Sequence, residues 1–363
     1  MAQTNTIMII GAGPCGLTAA LELSRRGFQP RIIDKEDGPT PLSKAVGVSP
    51  RSLEILELTG VTQRLLAKAI QMKAVQARYD GRLLAEISVS RLRHRFNFLL
   101  SLPQSETETL MEDALRERGV TVEWNREMKD IRLAGDKVEV DVVDGSGRSC
   151  GGTYDFVYAA DGAHSRSREI LGLGFSGYTH KRLWSIADVE IPAWPFPEAT
   201  AMASLHHTGD MGFIIPIGPS RFRAVSNTPE ALSQLPGTSD AKVLQRDTFH
   251  IPVRQADTYQ IGGVFLGGDA AHVHSPVGAR GMNLGIEDAF VFAKRLAGRT
   301  LGGYTRERHP IGRRWIVLSE RMLSAVQTSN PLLIPLRNLA IRTVGATPTL
   351  QLQMIERVAG LRE

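Results

Sequence analysis

Residues 7–34 read IMIIGAGPCGLTAALELSRRGFQPRIID. Ile7-Met8-Ile9-Ile10 is an unbroken apolar run, the pattern of a strand buried on both faces. A helix is predicted from about Pro14 to Arg26, with Gly27 as its stop, and Pro30-Arg31-Ile32-Ile33-Asp34 is the next strand. The turn between strand and helix, Gly11-Ala12-Gly13-Pro14-Cys15-Gly16, has the G-x-G-x-x-G spacing in the setting that makes it a phosphate site. Gly11 permits the tight turn, Gly13 lets backbone approach a pyrophosphate, and Gly16 lets helix and strand pack closely. Free amides and the dipole of the helix start face the phosphates. Asp34, followed by Lys35, stands at the end of the second strand, where a carboxylate meets a ribose diol. The loop by itself does not choose between FAD and NAD.

A second segment makes that choice. Gly267–Asp288 reads GGDAAHVHSPVGARGMNLGIED and follows the apolar strand Gly263–Leu266. Asp269 is an acceptor for a polyol hydroxyl. The Pro276–Asn283 turn, with Gly278 inside it, presents the amides of Gly281, Met282 and Asn283 at a helix start. Partial positive charge there stabilises an electron-rich carbonyl or an anionic reduced ring. A nicotinamide dinucleotide has neither a ribityl chain nor such a ring; FAD has both. Asp161-Gly162 lies at the carboxyl end of the strand Phe156–Ala160, where ligands of open α/β sheets gather, although Asp161 also reads as a helix cap. A further match to the glycine pattern, Gly172–Gly177, follows a helical segment and precedes no helix, so it reads as a linker. One dinucleotide site remains, without a separate nicotinamide domain.

The rest of the 363 residues supplies the frame. Helices are predicted at 49–70, begun by Ser49-Pro50, and at 105–118. Strands are predicted at Ala74–Tyr79, Leu83–Val89 and Phe96–Leu100, with hairpin turns at Asp80-Gly81 and Asp144-Gly145. The expected fold is α/β: a doubly wound, Rossmann-like FAD-binding domain (1–73, 101–177 and 263–300) carrying an inserted β-sheet domain for substrate (74–100 and 178–262). Helices over 301–363 complete it. The 43 basic residues are dispersed among 38 acidic ones, giving a formal net charge of +5 without a basic block, so nucleic acid is not an expected partner. Cys15 and Cys150 form no disulfide framework, and no signal peptide or run of about 18 apolar residues is present, so a cytoplasmic setting is expected.

The glycine loop with Asp34, the Asp161-Gly162 motif and the Gly268-Asp269…Pro276…Gly278…Gly281-Met282-Asn283 motif resemble the class A flavoprotein monooxygenases of the para-hydroxybenzoate hydroxylase type. The resemblance covers most of residues 1–300. It implies FAD as cofactor, NAD(P)H as transient co-substrate, and hydroxylation of an aromatic small molecule with O2 through a flavin C4a-hydroperoxide. It further implies that Arg51 and Gln104 contact FAD, that Asp161 serves both dinucleotides, that Asp269 binds the ribityl chain, and that Pro276 lies beside the reacting flavin edge. Departures are Lys44-Ala45, where many relatives have arginine, and Val277, where threonine is common; a thioredoxin-like C-terminal extension is also lacking.

The substrate is expected between flavin and inserted sheet, on strands around Met202–His206, Gly212–Ile217 and Arg221–Val225. Phe213, Ile215 and Ile217 share one face, which is either pocket wall or core. His206 and Arg223 are weak catalytic candidates, with His180 and His207 beside them. His272 and His274 read as packing residues, so no metal site is expected. The arginine-rich, apolar stretch from Arg306 to Arg342 reads as a helical cap or subunit contact ahead of a membrane-surface segment, in a monomer or homodimer. Rival functions are an FAD-dependent epoxidase or isoprenoid double-bond reductase, and a flavin-binding protein without turnover. Trp194-Pro195-Phe196-Pro197 disfavours a tryptophan halogenase.

Overall fold

The computed structural model describes residues 5–39 and 45–362. The chain opens with β1 (Ile7–Ile10), α1 (Pro14–Arg25) and β2 (Arg31–Ile33), the predicted β-α-β unit. It continues through β3 (Gly47–Val48), α2 (Pro50–Glu57), α3 (Val61–Lys68), β4 (Ile70–Met72), β5 (Ala74–Tyr79), β6 (Arg82–Ser88), β7 (Leu99–Ser101) and α4 (Gln104–Arg116). Next come β8 (Val122–Glu123), β9 (Arg126–Ala134), β10 (Lys137–Asp144), β11 (Gly152–Tyr154), β12 (Phe156–Ala159) and α5 (Arg166–Ile170). The strand-rich stretch holds β13 (Phe175–Thr179), β14 (Trp184–Glu190), β15 (Thr200–Leu205), β16 (Met211–Gly218), β17 (Arg221–Ser226), β18 (Lys242–Phe249), β19 (Pro252–Ala256) and β20 (Gln260–Ile261). Last are β21 (Val264–Leu266), β22 (His272–Val273), α6 (Gly281–Ala297), α7 (Tyr304–Val326), α8 (Leu333–Ala346) and α9 (Pro348–Val358).

Among the described residues one six-stranded sheet has the order β20-β21-β12-β1-β2-β8, parallel except at the β20 edge. Alternation along β1 sorts its two faces. Ile7 and Ile9 join the helices α1, α4 and α6, whereas Met8 and Ile10 pack on the antiparallel meander β9-β10-β11 through Ile131, Val138 and Val140. β1 has β2 on one side and β12 on the other, so the strand order reverses at its carboxyl end. That switch point opens the cleft into which the glycine loop is set.

A seven-stranded sheet, β18-β14-β17-β16-β15-β5-β6, stands beside it and includes the parallel pair β15–β5. Its outer face packs Met202, Ile214 and Phe222 under the 191–241 excursion. Its inner face packs Ile186, Met211, Phe213 and Val225 against Val277 and α7. Two small sheets, β13-β19-β22 and β3-β7-β4, tie the two large ones together.

Several elements differ from expectation. The helix over 49–70 is two helices: Gly60 is left-handed (φ 82°) and the Thr59 hydroxyl turns back onto the Leu56 carbonyl, ending the first. The strand at Phe96–Leu100 is the shorter Leu99–Ser101 and pairs with β3 and β4, outside the seven-stranded sheet, because Phe96 and Phe98 are drawn into the helical core. At the Asp144-Gly145 turn the positive φ falls on Gly147, since the Asp144 carboxylate accepts the amides of Ser146 and Arg148. No helix among the described residues is long and apolar enough to cross a membrane.

Candidate functional site

The glycine loop has the geometry its residue types dictate. Gly11 has φ 99°, and a Cβ there would lie 2.3 Å from the Ala160 carbonyl oxygen. A Cβ on Gly16 would lie 1.9 Å from the Gly11 oxygen, so α1 crosses β1 at a distance only glycine allows. Gly13 differs: the nearest atom to an added Cβ is Glu108 Oε1 at 3.9 Å, so its outer side is open. α1 starts at Pro14 without a side-chain cap, leaving its first amides available. Asp34 stands against this loop, its Oδ2 accepting the Ala12 amide at 2.7 Å and its Oδ1 that of Glu36. Lys35 is exposed and pairs with Glu36. The Cys15 side chain wedges between α1, Gly268 and Gly285, with Sγ 3.4 Å from Tyr158 Oη. Burial pushes its thiol well above the ordinary range, which makes it a packing group and not a nucleophile.

Asp161 lies at the carboxyl end of β12, and its carboxylate holds its own loop: Oδ1 accepts the Ser165 hydroxyl at 2.6 Å and Oδ2 the Ser167 amide at 2.9 Å. Gly162 follows with φ 81°. The guanidinium of Arg168, buried against the Phe175 ring, donates to the Ala163 and Ala270 carbonyls at 3.0 and 2.9 Å. One side chain thereby joins the Asp161 loop to the Asp269 loop. Asp269 itself is exposed between buried Gly268 and Ala270.

From the far side Asp288, fully buried on α6, accepts the Gly268 amide at 3.1 Å, His272 Nε2 at 2.7 Å and Arg308 Nε at 2.6 Å. Arg168, Asp288, Arg308 and the buried Glu108 were missed in the sequence. For Asp288 a signal existed: an acidic residue within the apolar stripe Leu284, Gly285, Ala289 and Phe292 of one helix.

The Pro276–Asn283 turn ends in α6, which has no side-chain cap. Pro276 is exposed, Val277 is buried in the apolar cluster under the seven-stranded sheet, and Gly278 and Ala279 have φ of 93° and 51°. The space around Gly281 is open, and Met282 is half-buried against the helical core. The Asn283 side chain is spent internally. Its Oδ1 accepts from the Ser49 amide and Ser52 hydroxyl, while its Nδ2 donates to the Gly47 and Ala279 carbonyls. Only its amide is left to a ligand. Lys44 lies outside the described residues.

Other candidates fall in different places. Arg51 pairs with Glu54 and lies over the Phe290 ring, on the outer side of α6. Gln104 donates to Glu108, which borders the open side of Gly13. His206 is turned to the outer sheet face, where its Nε2 meets Ser204 and Gln234, so it does not face Val277. Arg223 lies on the inner face, opposite Ile215, but its guanidinium is bound by both oxygens of Asp188 (2.7 and 2.8 Å) and also reaches the Ala45 carbonyl. His180 meets Glu320, and His207 lies beside Asp80 at the surface. His272 and His274 are held by Asp288 and the Ser275 carbonyl respectively.

Two uncapped helix starts, two aspartate loops and a glycine cradle thus converge on the carboxyl edge of one parallel sheet. The chain belongs to the FAD binding domain family, whose model matches residues 3–234 and 223–317. The residues present fit that cofactor: the side of Gly13 is open enough for a pyrophosphate to approach, and the exposed Asp269 carboxylate suits a polyol.

Among curated relatives, 6-methylpretetramide 4-monooxygenase of Streptomyces rimosus is 33% identical over 92% of this chain. The chain spans 62% of that relative's length. Anhydrotetracycline hydroxylase from Streptomyces rimosus is 25% identical, with a TM-score of 0.79 over 98% of this chain and 76% of its own. The p-nitrophenol 4-monooxygenase from Pseudomonas putida shares the fold, with a TM-score of 0.89 at 21% identity and full coverage of both chains.

Proposed function

We propose that the chain is an FAD-dependent monooxygenase that uses NAD(P)H and O2 to hydroxylate a phenolic or polycyclic aromatic small molecule. The observation that carries this reading is the place of Val277: the turn that leads into α6 joins, through Val277, the apolar cluster on the inner face of the seven-stranded sheet that holds Phe213 and Val225. An electron-rich ring at that helix start therefore has an apolar, water-poor wall opposite it. The three relatives named above are a 6-methylpretetramide 4-monooxygenase, an anhydrotetracycline hydroxylase and a p-nitrophenol 4-monooxygenase, which supports the same reading.

In this reading Gly11, Gly13, Pro14, Cys15 and Gly16 hold the pyrophosphate through backbone, with Asp34 and Lys35 at the adenosine ribose. Asp269 takes the ribityl hydroxyls, and the amides of Gly281, Met282 and Asn283 face the ring carbonyl, with Pro276 and Gly278 along its edge. Asp161 and Gly162 stay at the cleft as the visiting nicotinamide dinucleotide's meeting point, and Gln104 completes the set, while Arg51, held by Glu54 over Phe290, would have to leave that pair to join it. Bound FAD would supply the redox chemistry, taking reducing equivalents from NAD(P)H and passing oxygen to the substrate. The 74–100 and 178–262 excursions supply the substrate wall, and the inner face of β16 and β17 selects apolar rings. Arg223, locked to Asp188, orients that wall and does not abstract a proton. A cytoplasmic monomer or homodimer fits this reading.

Anaerobic stopped-flow reduction by NADH and NADPH across a panel of phenols, followed by turnover under labelled O2, tests it. Ligand-accelerated flavin reduction with labelled oxygen in the product is expected. Reduction without oxygen incorporation would move the chain to the double-bond reductases, and binding without either would make it a flavin carrier.

A further inference from the structure

We propose that the outer face of α8 rests on an anionic lipid surface. The helix is fixed by its inner side. Ile334 and Arg337 are buried, Arg337 donates to the Val326 carbonyl at 3.2 Å and lies over the Tyr79 ring, and Ile341 packs into the cluster under the seven-stranded sheet. Nothing among the described residues covers its other side. Leu332 is 80% exposed, Leu333 49%, Leu336 63% and Leu339 62%. The spacing of Leu332, Leu336 and Leu339 places them in one row. A row of leucines this exposed is more than the scattered apolar residues of an ordinary surface.

Charge decides what covers it. From Arg321 to Ile355 the sequence contains no Asp and no Glu, in a chain that has 38 of them, while Arg321, Arg337 and Arg342 are present. Arg342, exposed, flanks the leucine row. From the sheet below, Asp80 acts on the inward-turned Arg337 and is itself taken by His206 and His207, while Ala85 of β6 lies against Gly345 of α8 and the next residue, Glu86, points to the opposite face, where it takes Gln76. A second copy docked through the same row would set Arg342 against arginine with no carboxylate to pair it. Anionic headgroups pair the arginines and accept the leucines at the acyl boundary, in the manner of an interfacial helix. The binding is peripheral and salt-sensitive.

The test is co-sedimentation of the FAD-loaded protein with phosphatidylcholine vesicles, with and without phosphatidylglycerol. Binding to the phosphatidylglycerol vesicles is expected, weaker on phosphatidylcholine alone, and released by salt. Leu336→Glu with Leu339→Glu should lower the partition coefficient by about tenfold or more. Arg342→Glu should lower it only on the anionic vesicles. Both variants alter solvent-facing positions, so an unchanged melting temperature checks the fold. Failure to sediment with either vesicle, or undiminished binding of the leucine variant, overturns the proposal. A wild-type dimer in sedimentation equilibrium that the leucine variant splits, without vesicle binding, overturns it in favour of a second copy.

Discussion

Asp288 accepts the backbone amide of Gly268 at 3.1 Å, so a residue in the second turn of α6 fixes the peptide that precedes Asp269. Burial opposes the charge of Asp288, yet Arg308 and His272 hold its carboxyl below the usual carboxylate value. Arg168 grips the same loop from the other side through Ala270. The loop is therefore shaped before any ligand arrives.

Asp288→Asn should be strongly destabilising. The neutral amide leaves buried Arg308 with Glu287 and the Leu284 carbonyl, each at 3.5 Å, and breaking a buried pair costs about 3–5 kcal/mol. Urea melts measure the loss, and FAD titration should show weakened affinity in the fraction that folds. Unchanged stability and affinity would mean that α6 does not hold the loop.

Gly13→Ala separates binding from folding. Its Cβ meets nothing closer than 3.9 Å, so the apoprotein should melt within about 0.5 kcal/mol of the parent, whereas the methyl occupies the cradle and FAD affinity should fall sharply. Gly16→Ala should instead fail to fold, with its Cβ 1.9 Å from a carbonyl oxygen. Equal FAD affinity of Gly13→Ala and parent would remove the loop from the phosphate site.

The Arg223–Asp188 pair gives a cycle. Arg223→Met alone strands a half-buried carboxylate and should cost about 2 kcal/mol or more, while adding Asp188→Leu should recover most of it. If Arg223 orients the substrate wall, the double variant regains stability but keeps a raised KM for aromatic substrates.

His274 titrates against the fold. Burial, ahead of its neighbours His272 and Arg280, brings its pKa down to about 4 from 6.5. The unfolded chain takes up a proton below 6.5 that the folded chain refuses, so stability should fall from pH 6.5 towards 4. The slope for this one group is about 1.4 kcal/mol per pH unit. Denaturant melts over that window should show a shallower slope in His274→Gln than in the parent.

What the sequence disclosed and what it hid divide along physical lines. The β1-α1-β2 unit was legible because its signals are local: an apolar run, three glycines and a capping Gly27 lie within one short window. That Asp34, Asp161 and Asp269 stand just beyond strand ends was legible from the apolar runs before them. The break at Gly60 was hidden because one left-handed glycine leaves the helical periodicity on either side intact. The side to which His206 turns was hidden because period-two alternation does not say which face is which until Gln234, further along the same excursion, is brought up to it. Arg168 and Asp288 act on carbonyls and amides far along the chain, and such partners leave no mark in residue spacing.

The parallel pairing of β5 with β15 has a consequence for how the chain is made. Ala74 meets Ser88 of β6 early but finds its other neighbour only when Thr200 has been synthesised, and β12 finds β21 only after Val264. Both large sheets thus stay open-edged through most of synthesis, with hydrogen-bonding edges and apolar faces uncovered. Folding should be slow and late, governed by long loop closures. Truncations that stop short of β21 should aggregate instead of yielding a smaller nucleotide-binding module.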